Sequence, residues 1–314
     1  MSTETRDDPA HLIPVTGQLR ASRRRWRVLA FIALAIAILA VGGRFALQNA
    51  PVANHIARIT IDGTIATDPD RVATFKKIGD DPTVKAVILS INSGGGTTAG
   101  GEELYESLSA LRAKKPVVAV IGELGASAAY MTAIAADRIF ARRLSIVGSI
   151  GVLFQHIDAS KLMNMVGVSM DKVASGPLKA EPDLSGPIKP EVRASLNALI
   201  TDSYNWFVDV VSERRGIPRA NTLTLADGRI LTGRQALDAK LIDAIGGEAE
   251  ATSWLETDKK IAADLPVISA FPQQGSWGGF GKFFGSEARA ALGLPADAPI
   301  ALDGLVSLWQ VGPS

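Results

Sequence analysis

Residues 86–104 read AVILSINSGGGTTAGGEEL, an apolar run followed by a glycine-rich loop and the start of a helical pattern. Short runs rich in strand-forming residues also occur at 58–61 (RITI) and 117–121 (VVAVI), and stretches with helical character separate the three runs. Strands nearly continuous in valine and isoleucine that alternate with helices indicate a parallel sheet covered on both faces. The sequence therefore predicts an α/β fold with a parallel sheet and flanking helices.

The composition excludes several kinds of site. The chain has 314 residues, a formal net charge of +1, no cysteine and three histidines. Without cysteine there is no disulfide, no thiol nucleophile and no cysteine-ligated metal. The histidines, His11, His55 and His156, are far apart in the sequence, so we expect neither a metal nor a cofactor. The nearly neutral charge gives no reason to expect nucleic-acid binding.

The N-terminal segment differs from the rest of the chain. Residues 26–47 (WRVLAFIALAIAILAVGGRFAL) are apolar apart from Arg27 and Arg44. The uncharged centre makes roughly 24 Å of helix, and snorkelling arginines can extend it toward the ~30 Å hydrocarbon core. Arginines dominate the charge of residues 1–25, so the positive-inside rule predicts a cytoplasmic N-terminus and an extracytoplasmic remainder. We predict a basic tail at 1–25, a transmembrane signal anchor at 26–47 and a linker at 48–57, with a cleaved signal peptide as the alternative.

The remainder divides into a folded domain and a tail. Residues 58–265 carry the alternating strand and helix patterns. Within them, residues 190–215 show apolar positions at helical spacing with a proline in the first turn, which predicts a packing helix without a chemical role. Residues 266–314 are rich in glycine and aromatic residues, and we expect this tail to be loosely ordered.

One hydroxyl group, that of Ser127, lies in GELGASAAYMTA (122–133), directly after the third apolar run. Open α/β sheets bind ligands beyond the carboxyl ends of their strands, where this loop and the glycine-rich loop at 91–104 both lie. Free backbone N–H groups beside a serine hydroxyl have the geometry of an oxyanion hole beside a nucleophile. The alternative is that Ser127 caps a helix among small residues needed for close packing.

A serine nucleophile needs a general base. His156, in FQHID, is one candidate, although a structural histidine explains it as well. GASAA is similar to the G-x-S-x-G elbow of α/β-hydrolases. That fold places its histidine late in the chain, after the acid, and this sequence has no histidine after His156. A lysine can replace histidine when burial lowers its pKa from about 10.4 toward roughly 7 to 8. Lys179 lies in a loop at 170–188, after a predicted short strand around Val173; a surface lysine is the alternative reading.

Five motifs in a fixed order give the chain a specific resemblance. From about Ile59 to Gly247 it resembles the bacterial signal peptide peptidase family, also called protease IV. The resemblance implies the Clp protease and crotonase-like fold, a membrane-anchored serine endopeptidase of the bacterial inner membrane, and remnant signal peptides and other hydrophobic peptides as substrates. The motifs are NSGGG (92–96), GASAAY (125–130), VGSIGVLFQ (147–155), SGPLK (175–179) and DGRILTGRQALDAKLIDAIGG (227–247).

The resemblance also implies roles for individual residues. Ser127 matches the nucleophile, Lys179 the general base and Ser149 the hydroxyl that holds the lysine amine, while the N–H groups of Gly96 and Ala128 would form the oxyanion hole. In the long form of the family, two tandem copies of the domain supply the lysine and the serine from different halves. This sequence has one copy, which implies a homo-oligomer that shares its active sites between subunits; a dyad closed within one chain is the alternative. Two alternatives stay open: a non-catalytic membrane scaffold on the same fold, and a crotonase-type acyl-CoA enzyme.

Overall fold

The computed structural model describes residues 26–27, 29–36, 38, 53–272 and 305–308. The chain divides into two units, Met1–Ala53 and Asn54–Ser314. In the first unit, residues 26–27, 29–36 and 38 are helical. No helix within the described part of the chain is long and apolar enough to cross a membrane. The rest of the predicted anchor at 26–47, the predicted tail at 1–25 and residues 48–52 lie outside the described residues.

The second unit is an α/β structure whose strands, ten within the described residues, belong to one sheet. Its central strands run in the order β9-β1-β2-β3-β4-β8 and are all parallel, which confirms the predicted fold class. The strands are β1 (His55–Ile65), β2 (Val84–Thr97), β3 (Val117–Ala126), β4 (Arg138–Ala141), β5 (Ile146–Gly148), β6 (Leu153–Phe154), β7 (Ile230–Thr232), β8 (Ala244–Ile245), β9 (Val267–Phe271) and β10 (Leu305–Leu308).

Helices connect β1, β2, β3 and β4, as is usual for crossover connections between parallel strands. Their ends follow local signals: Asp68 caps the first helix by accepting the N–H groups of Asp70 and Arg71, both at 3.0 Å. The helices of the second unit are α1 (Pro69–Asp80), α2 (Thr98–Arg112), α3 (Ala128–Ala133), α4 (Ser160–Met165), α5 (Pro190–Arg215), α6 (Arg219–Leu225), α7 (Gly233–Asp238) and α8 (Glu248–Thr257).

The centre of the sheet is buried on both faces because residues 86–89 of β2 and 117–121 of β3 are apolar at every position. Ile59, Leu89, Ala119 and Ile139 are paired across four neighbouring strands and contribute to the larger core, with α2 and α5. The alternate positions, such as Ile88, belong to a smaller core that includes residues of α8. Since side chains alternate between faces along a strand, continuous apolar runs fill both cores.

The sheet divides at the carboxyl ends of β2 and β3. The last residues of β3 leave β4 and pair in parallel with β5, which in turn pairs antiparallel with β7. The last residues of β2 pair antiparallel with β10, which also pairs antiparallel with β6. This edge, where the sequence predicts a ligand site, is therefore built from short strands distant in sequence.

Two local expectations are wrong. The predicted strand around Val173 is an irregular loop in which the Val173 side chain is fully exposed. A single valine among polar residues and glycine provides no continuous apolar face to bury, so nothing stabilises a strand there. The expectation of a loosely ordered tail is wrong for residues 267–271 and 305–308, which form β9, paired with β1 at the edge of the sheet, and β10, paired with β2 and β6. Residues 273–304 and 309–314 lie outside the described part.

Candidate active site

Ser127 occupies the tight turn between β3 and α3. Its backbone has φ 60° and ψ −124°, a conformation that is costly for a residue with a Cβ atom. The Ser127 N–H donates to the carbonyl of Gly148 at 2.8 Å, and the Ser127 carbonyl accepts the N–H of Met131 at 2.9 Å. The side chain makes no capping hydrogen bond to α3, so helix capping does not explain this serine.

The small residues around Ser127 allow α3 to pack tightly. Every residue of α3 is buried, and the helix lies against the first turn of α2. A Cβ atom on Gly101 would lie 2.9 Å from the sulfur of Met131 and 3.0 Å from the Cβ atom of Ala128. Glycine in α2 and alanine in α3 therefore let the two helices approach closely. Close packing thus explains some of the small residues around Ser127.

Hydrogen bonds fix α3 in place. The Tyr130 hydroxyl donates to the carbonyl of Leu241 at 2.8 Å, and burial raises the pKa of Tyr130 well above its usual value, which keeps it a donor. Arg214 donates to the carbonyls of Ile134 and Ala136, both at 2.8 Å, just beyond the end of α3. The turn that carries Ser127 is thus attached to a rigid helix.

Ser149 lies beside Ser127 in the same cleft. It follows β5 with a positive φ of 51°, and its N–H donates to the carbonyl of Arg229 at 2.8 Å. Both serines are largely buried and line a cleft of about 430 Å³. Three further segments complete the wall: residues 151–153, α5 and the turn before β7. Their lining residues are Gly151, Val152, Leu153, Ile200, Tyr204, Ala226, Asp227 and Gly228.

The two predicted oxyanion residues lie at the ends of neighbouring strands. β2 and β3 are last paired at Ser93 and Gly125, and Gly96 and Ala128 each come three residues later. A Cβ atom on Gly96 would lie 1.8 Å from the carbonyl oxygen of Ile65, so only glycine fits this position. Ala128 is the first residue of α3 and is fully buried. The sheet register thus brings the two backbones to the same edge.

The two candidate bases lie elsewhere. Lys179 is exposed on the loop between α4 and α5 and does not line the cleft, and its N–H donates to the carbonyl of Gly176 at 3.2 Å. The ring of His156 hydrogen-bonds through Nε2 to the carbonyl of Gly186 at 2.9 Å, which favours a structural role. Within one chain, the structure brings together Ser127 and Ser149 but not Lys179 or His156.

Ion pairs organise the loop that carries Lys179. The Lys172 ammonium donates to Glu181 at 2.8 Å and to Asp183 at 2.6 Å. Lys189 donates to Glu181 from the other side at 3.0 Å. Glu181 and Asp183 are thus engaged by Lys172 and Lys189, and within residues 53–272 and 305–308 the Lys179 amine has no carboxylate partner.

Two features of the cleft were not anticipated from the sequence. Asp227 lies at the rim, where a hydrogen bond from Arg229 at 2.8 Å and further backbone donors lower the pKa of Asp227 to about 2. The Tyr204 hydroxyl of α5 donates to the carbonyl of Ala226 at 2.9 Å and positions this rim. The DGR motif at 227–229 is the sequence signal that could have identified Asp227. Helical spacing alone did not indicate that α5 lines a cleft. In the described ranges, no cluster of histidine and acidic side chains could hold a metal.

A serine on a strained strand-to-helix turn at the edge of an α/β sheet is the arrangement typical of serine hydrolases. Comparison with known proteins narrows this class, because the model of peptidase family S49 matches residues 109–262. The chain belongs to peptidase family S49, the signal peptide peptidase A family, and is a serine peptidase.

Three relatives illustrate the similarity. A candidate protease of Synechocystis sp. is 37% identical over 204 residues, which cover 64% of this chain and 73% of the relative. A candidate signal peptide peptidase SppA of Enterococcus faecium is 33% identical over 239 residues, covering 71% of this chain and 68% of the relative. Protease 4 of Haemophilus influenzae is 30% identical over 220 residues, covering 67% of this chain and 36% of the relative.

Proposed function

We propose that this serine peptidase is a membrane-anchored endopeptidase of the bacterial inner membrane that degrades remnant signal peptides and other hydrophobic peptides. The observation that carries the proposal is the placement of Ser127 on a strained turn in a cleft of about 430 Å³, next to Ser149. Val152, Leu153 and Ile200 give the wall of this cleft an apolar character, which suits hydrophobic side chains.

The proposed reaction is acyl transfer through a Ser/Lys dyad. The Ser127 oxygen attacks a peptide carbonyl carbon while the neutral amine of Lys179 accepts the hydroxyl proton. The N–H groups of Gly96 and Ala128 donate to the oxyanion of the tetrahedral intermediate. The protonated amine then returns its proton to the leaving nitrogen, and water hydrolyses the acyl-enzyme by the same steps. Ser149 acts as the positioning residue that holds the lysine amine.

Digestion of a synthetic signal peptide tests the reaction. Wild type cleaves the peptide, whereas Ser127→Ala and Lys179→Ala are each inactive yet folded, because the two groups act in one sequence of steps. Lys179→Arg is inactive as well, since guanidinium does not give up its proton near neutral pH. Full activity of Lys179→Ala would eliminate the lysine as base and leave His156 as the candidate base.

An activated-phosphonate probe tests the class of chemistry independently of any chosen peptide. Such a probe reacts covalently with a serine nucleophile, so wild type is labelled at Ser127 and Ser127→Ala is not. A non-catalytic scaffold would not be labelled. An acyl-CoA enzyme of the same fold, which uses carboxylate bases, would not be labelled either. Mass spectrometry of the labelled peptide identifies the modified residue.

We further propose that the dyad is shared between subunits of a homo-oligomer. The support is that Lys179 lies outside the cleft of its own chain, on an exposed loop without a carboxylate partner for the amine in the described part. In a closed ring with heterologous contacts, the Lys179 of one subunit reaches the Ser127 of the next.

Mixed oligomers test the shared site. Ser127→Ala and Lys179→Ala subunits are each inactive, and random mixing restores about a quarter of the sites if the dyad forms between chains. A dyad within one chain leaves every site broken. Mass spectrometry of differently tagged subunits establishes that mixed rings have formed. No recovered activity in such rings would refute the shared site.

The proposed orientation places residues 1–25 in the cytoplasm and the peptidase domain outside it. Because the chain has no cysteine, single cysteines can report topology without background. On intact cells, a membrane-impermeant maleimide labels Ser253→Cys, at an exposed position of α8, and does not label Thr5→Cys. After permeabilisation both variants are labelled. Labelling of Thr5→Cys alone in intact cells would reverse the proposed topology.

A further inference from the structure

The segment that joins β1 to α1 lies directly against the glycine-rich loop of the candidate site. Ile65 is the register partner of Gly96, the predicted oxyanion donor. A Cβ atom on Gly96 would lie 1.8 Å from the carbonyl oxygen of Ile65. A Cβ atom on Gly100, in the first turn of α2, would lie 2.8 Å from the Cα atom of Ala66. Because the backbones are packed so closely, a shift of residues 65–66 displaces the loop that carries Gly96.

One carboxylate, that of Glu103, holds this segment in place. Nη2 of Arg71 donates to the carbonyl of Ala66 at 2.6 Å and to Oε1 of Glu103 at 3.0 Å. The same Glu103 oxygen accepts the backbone N–H of Asp68 at 2.8 Å. Glu103 belongs to α2, the helix that follows Gly96 in the chain. The carboxylate therefore ties the segment before α1 to the helix that begins at the glycine-rich loop.

The ion pair between Arg71 and Glu103 is largely removed from water. The Arg71 side chain is 9% exposed and the Glu103 side chain is 24% exposed. Among the described residues, Glu103 is the one carboxylate paired with Arg71, and the buried Nε atom of Arg71 has no hydrogen-bond partner there. A buried guanidinium that loses its carboxylate is strongly destabilised. Without Glu103, Arg71 would therefore turn toward water and release the carbonyl of Ala66.

We propose that Glu103 is a positioning residue of the peptidase reaction, which acts through Arg71 and residues 65–66 to keep the Gly96 N–H directed at the oxyanion; this inference rests on the function proposed above. Glu103 does not line the cleft that contains Ser127, so it acts only through the backbone of the loop. Negative charge develops on the substrate oxygen only as the tetrahedral intermediate forms. A displaced donor therefore lowers kcat and leaves KM nearly unchanged.

Three single variants test this role by steady-state kinetics. Glu103→Met removes the carboxylate and keeps a side chain of similar length. Loss of a whole oxyanion donor lowers kcat about 100- to 1000-fold, so a displaced donor should lower it about 10- to 100-fold. Glu103→Gln keeps an oxygen that accepts from Arg71 and Asp68, and it should retain kcat within about threefold. The matched control is Glu106→Met, at an exposed position of the same helix, which should keep wild-type kinetics.

The double variant Arg71→Met/Glu103→Met separates positioning from stability. Apolar side chains of similar size often replace a buried ion pair without loss of stability, whereas removal of one partner is costly. We expect Tm to fall by several degrees in Glu103→Met and to recover in the double variant. The kcat of the double variant should stay about tenfold or more below wild type, because nothing then holds the Ala66 carbonyl. Recovery of both Tm and kcat would make the pair purely structural and overturn the inference, as would a wild-type kcat in Glu103→Met.

Hydrogen exchange followed by mass spectrometry separates this inference from the proposed function. Backbone N–H groups of residues 91–99 should exchange about tenfold faster in Glu103→Met and in the double variant than in wild type and in Glu106→Met. Exchange at the wild-type rate in Glu103→Met overturns the inference even if wild type is an active peptidase. A wild type that neither cleaves the signal peptide nor reacts with the phosphonate probe would refute the proposed function, and this inference with it.

Discussion

Replacing Ser127 with glycine should stabilise the protein relative to replacing it with alanine. Both substitutions remove the hydroxyl group, so both variants are inactive if Ser127 is the nucleophile. They differ in the Cβ atom, which alanine keeps at φ 60° and ψ −124°. A non-glycine residue in such a conformation costs up to about 3 kcal/mol, and glycine removes this strain.

Two smaller effects oppose the gain. Glycine has more freedom in the unfolded chain, which costs about 1 kcal/mol, and loss of a buried methyl group costs about 0.8 kcal/mol. The net effect is about 1 kcal/mol in favour of Ser127→Gly. For a domain of this size, that corresponds to a Tm about 3 °C above that of Ser127→Ala. Differential scanning calorimetry of the two inactive variants measures this difference without interference from autolysis.

The neighbouring position provides the matched control. Ala128→Gly makes the same chemical change one residue later, at the start of α3, where glycine relieves no positive φ. Both opposing effects apply to this buried alanine, so the variant should be less stable than wild type by about 2 kcal/mol. If Ser127→Gly is no more stable than Ser127→Ala, the turn is not strained in the native protein and the argument for a stored conformational cost at the nucleophile is refuted.

Three further predictions concern catalysis. If Lys179 is the base as proposed, activity should rise with pH and persist at alkaline pH, because only a neutral amine accepts a proton; an acidic optimum of kcat/KM would contradict a lysine base. Ser149→Ala should lower kcat about 10- to 100-fold with little change in KM, as expected of a positioning residue, and a loss as complete as that of Ser127→Ala would assign it a direct role. Gly96→Ala, whose Cβ atom would lie 1.8 Å from the carbonyl oxygen of Ile65, should lower kcat at least ~100-fold and reduce Tm; wild-type kinetics would remove Gly96 from the oxyanion hole.

The core of the fold was predictable because its signals are local. The apolar runs at 58–61, 86–91 and 117–121 all lie in central parallel strands, and the predicted helix at 190–215 matches α5. A run of valine and isoleucine must be buried on both faces wherever the chain goes, so the run itself determines its environment. The turn at Ser127 was predictable for the same reason, because it lies between a predicted strand and a predicted helix.

The composition of the cleft was less accessible because it depends on contacts between distant segments. Helical spacing in α5 identified a buried stripe, but it could not tell that Ile200 and Tyr204 face the site. Strand β10 was missed altogether, since four residues within a glycine-rich tail have no periodicity of their own. Their strand conformation depends on the exposed edges of β2 and β6, which exist only in the folded protein.

The same contrast between local and distant contacts bears on how activity is controlled. Ser127, its turn and α3 are fixed by buried packing and by hydrogen bonds from Tyr130 and Arg214, so the position of the proposed nucleophile is set within one chain. The proposed mechanism also needs an amine, and Lys179 lies on an exposed loop. Segments with few buried contacts change their position at a lower free-energy cost than the core does. If the dyad is shared between subunits as proposed, a fixed Ser127 turn and a base on an exposed loop make peptide cleavage depend on assembly, which limits unwanted cleavage of other proteins without altering the turn.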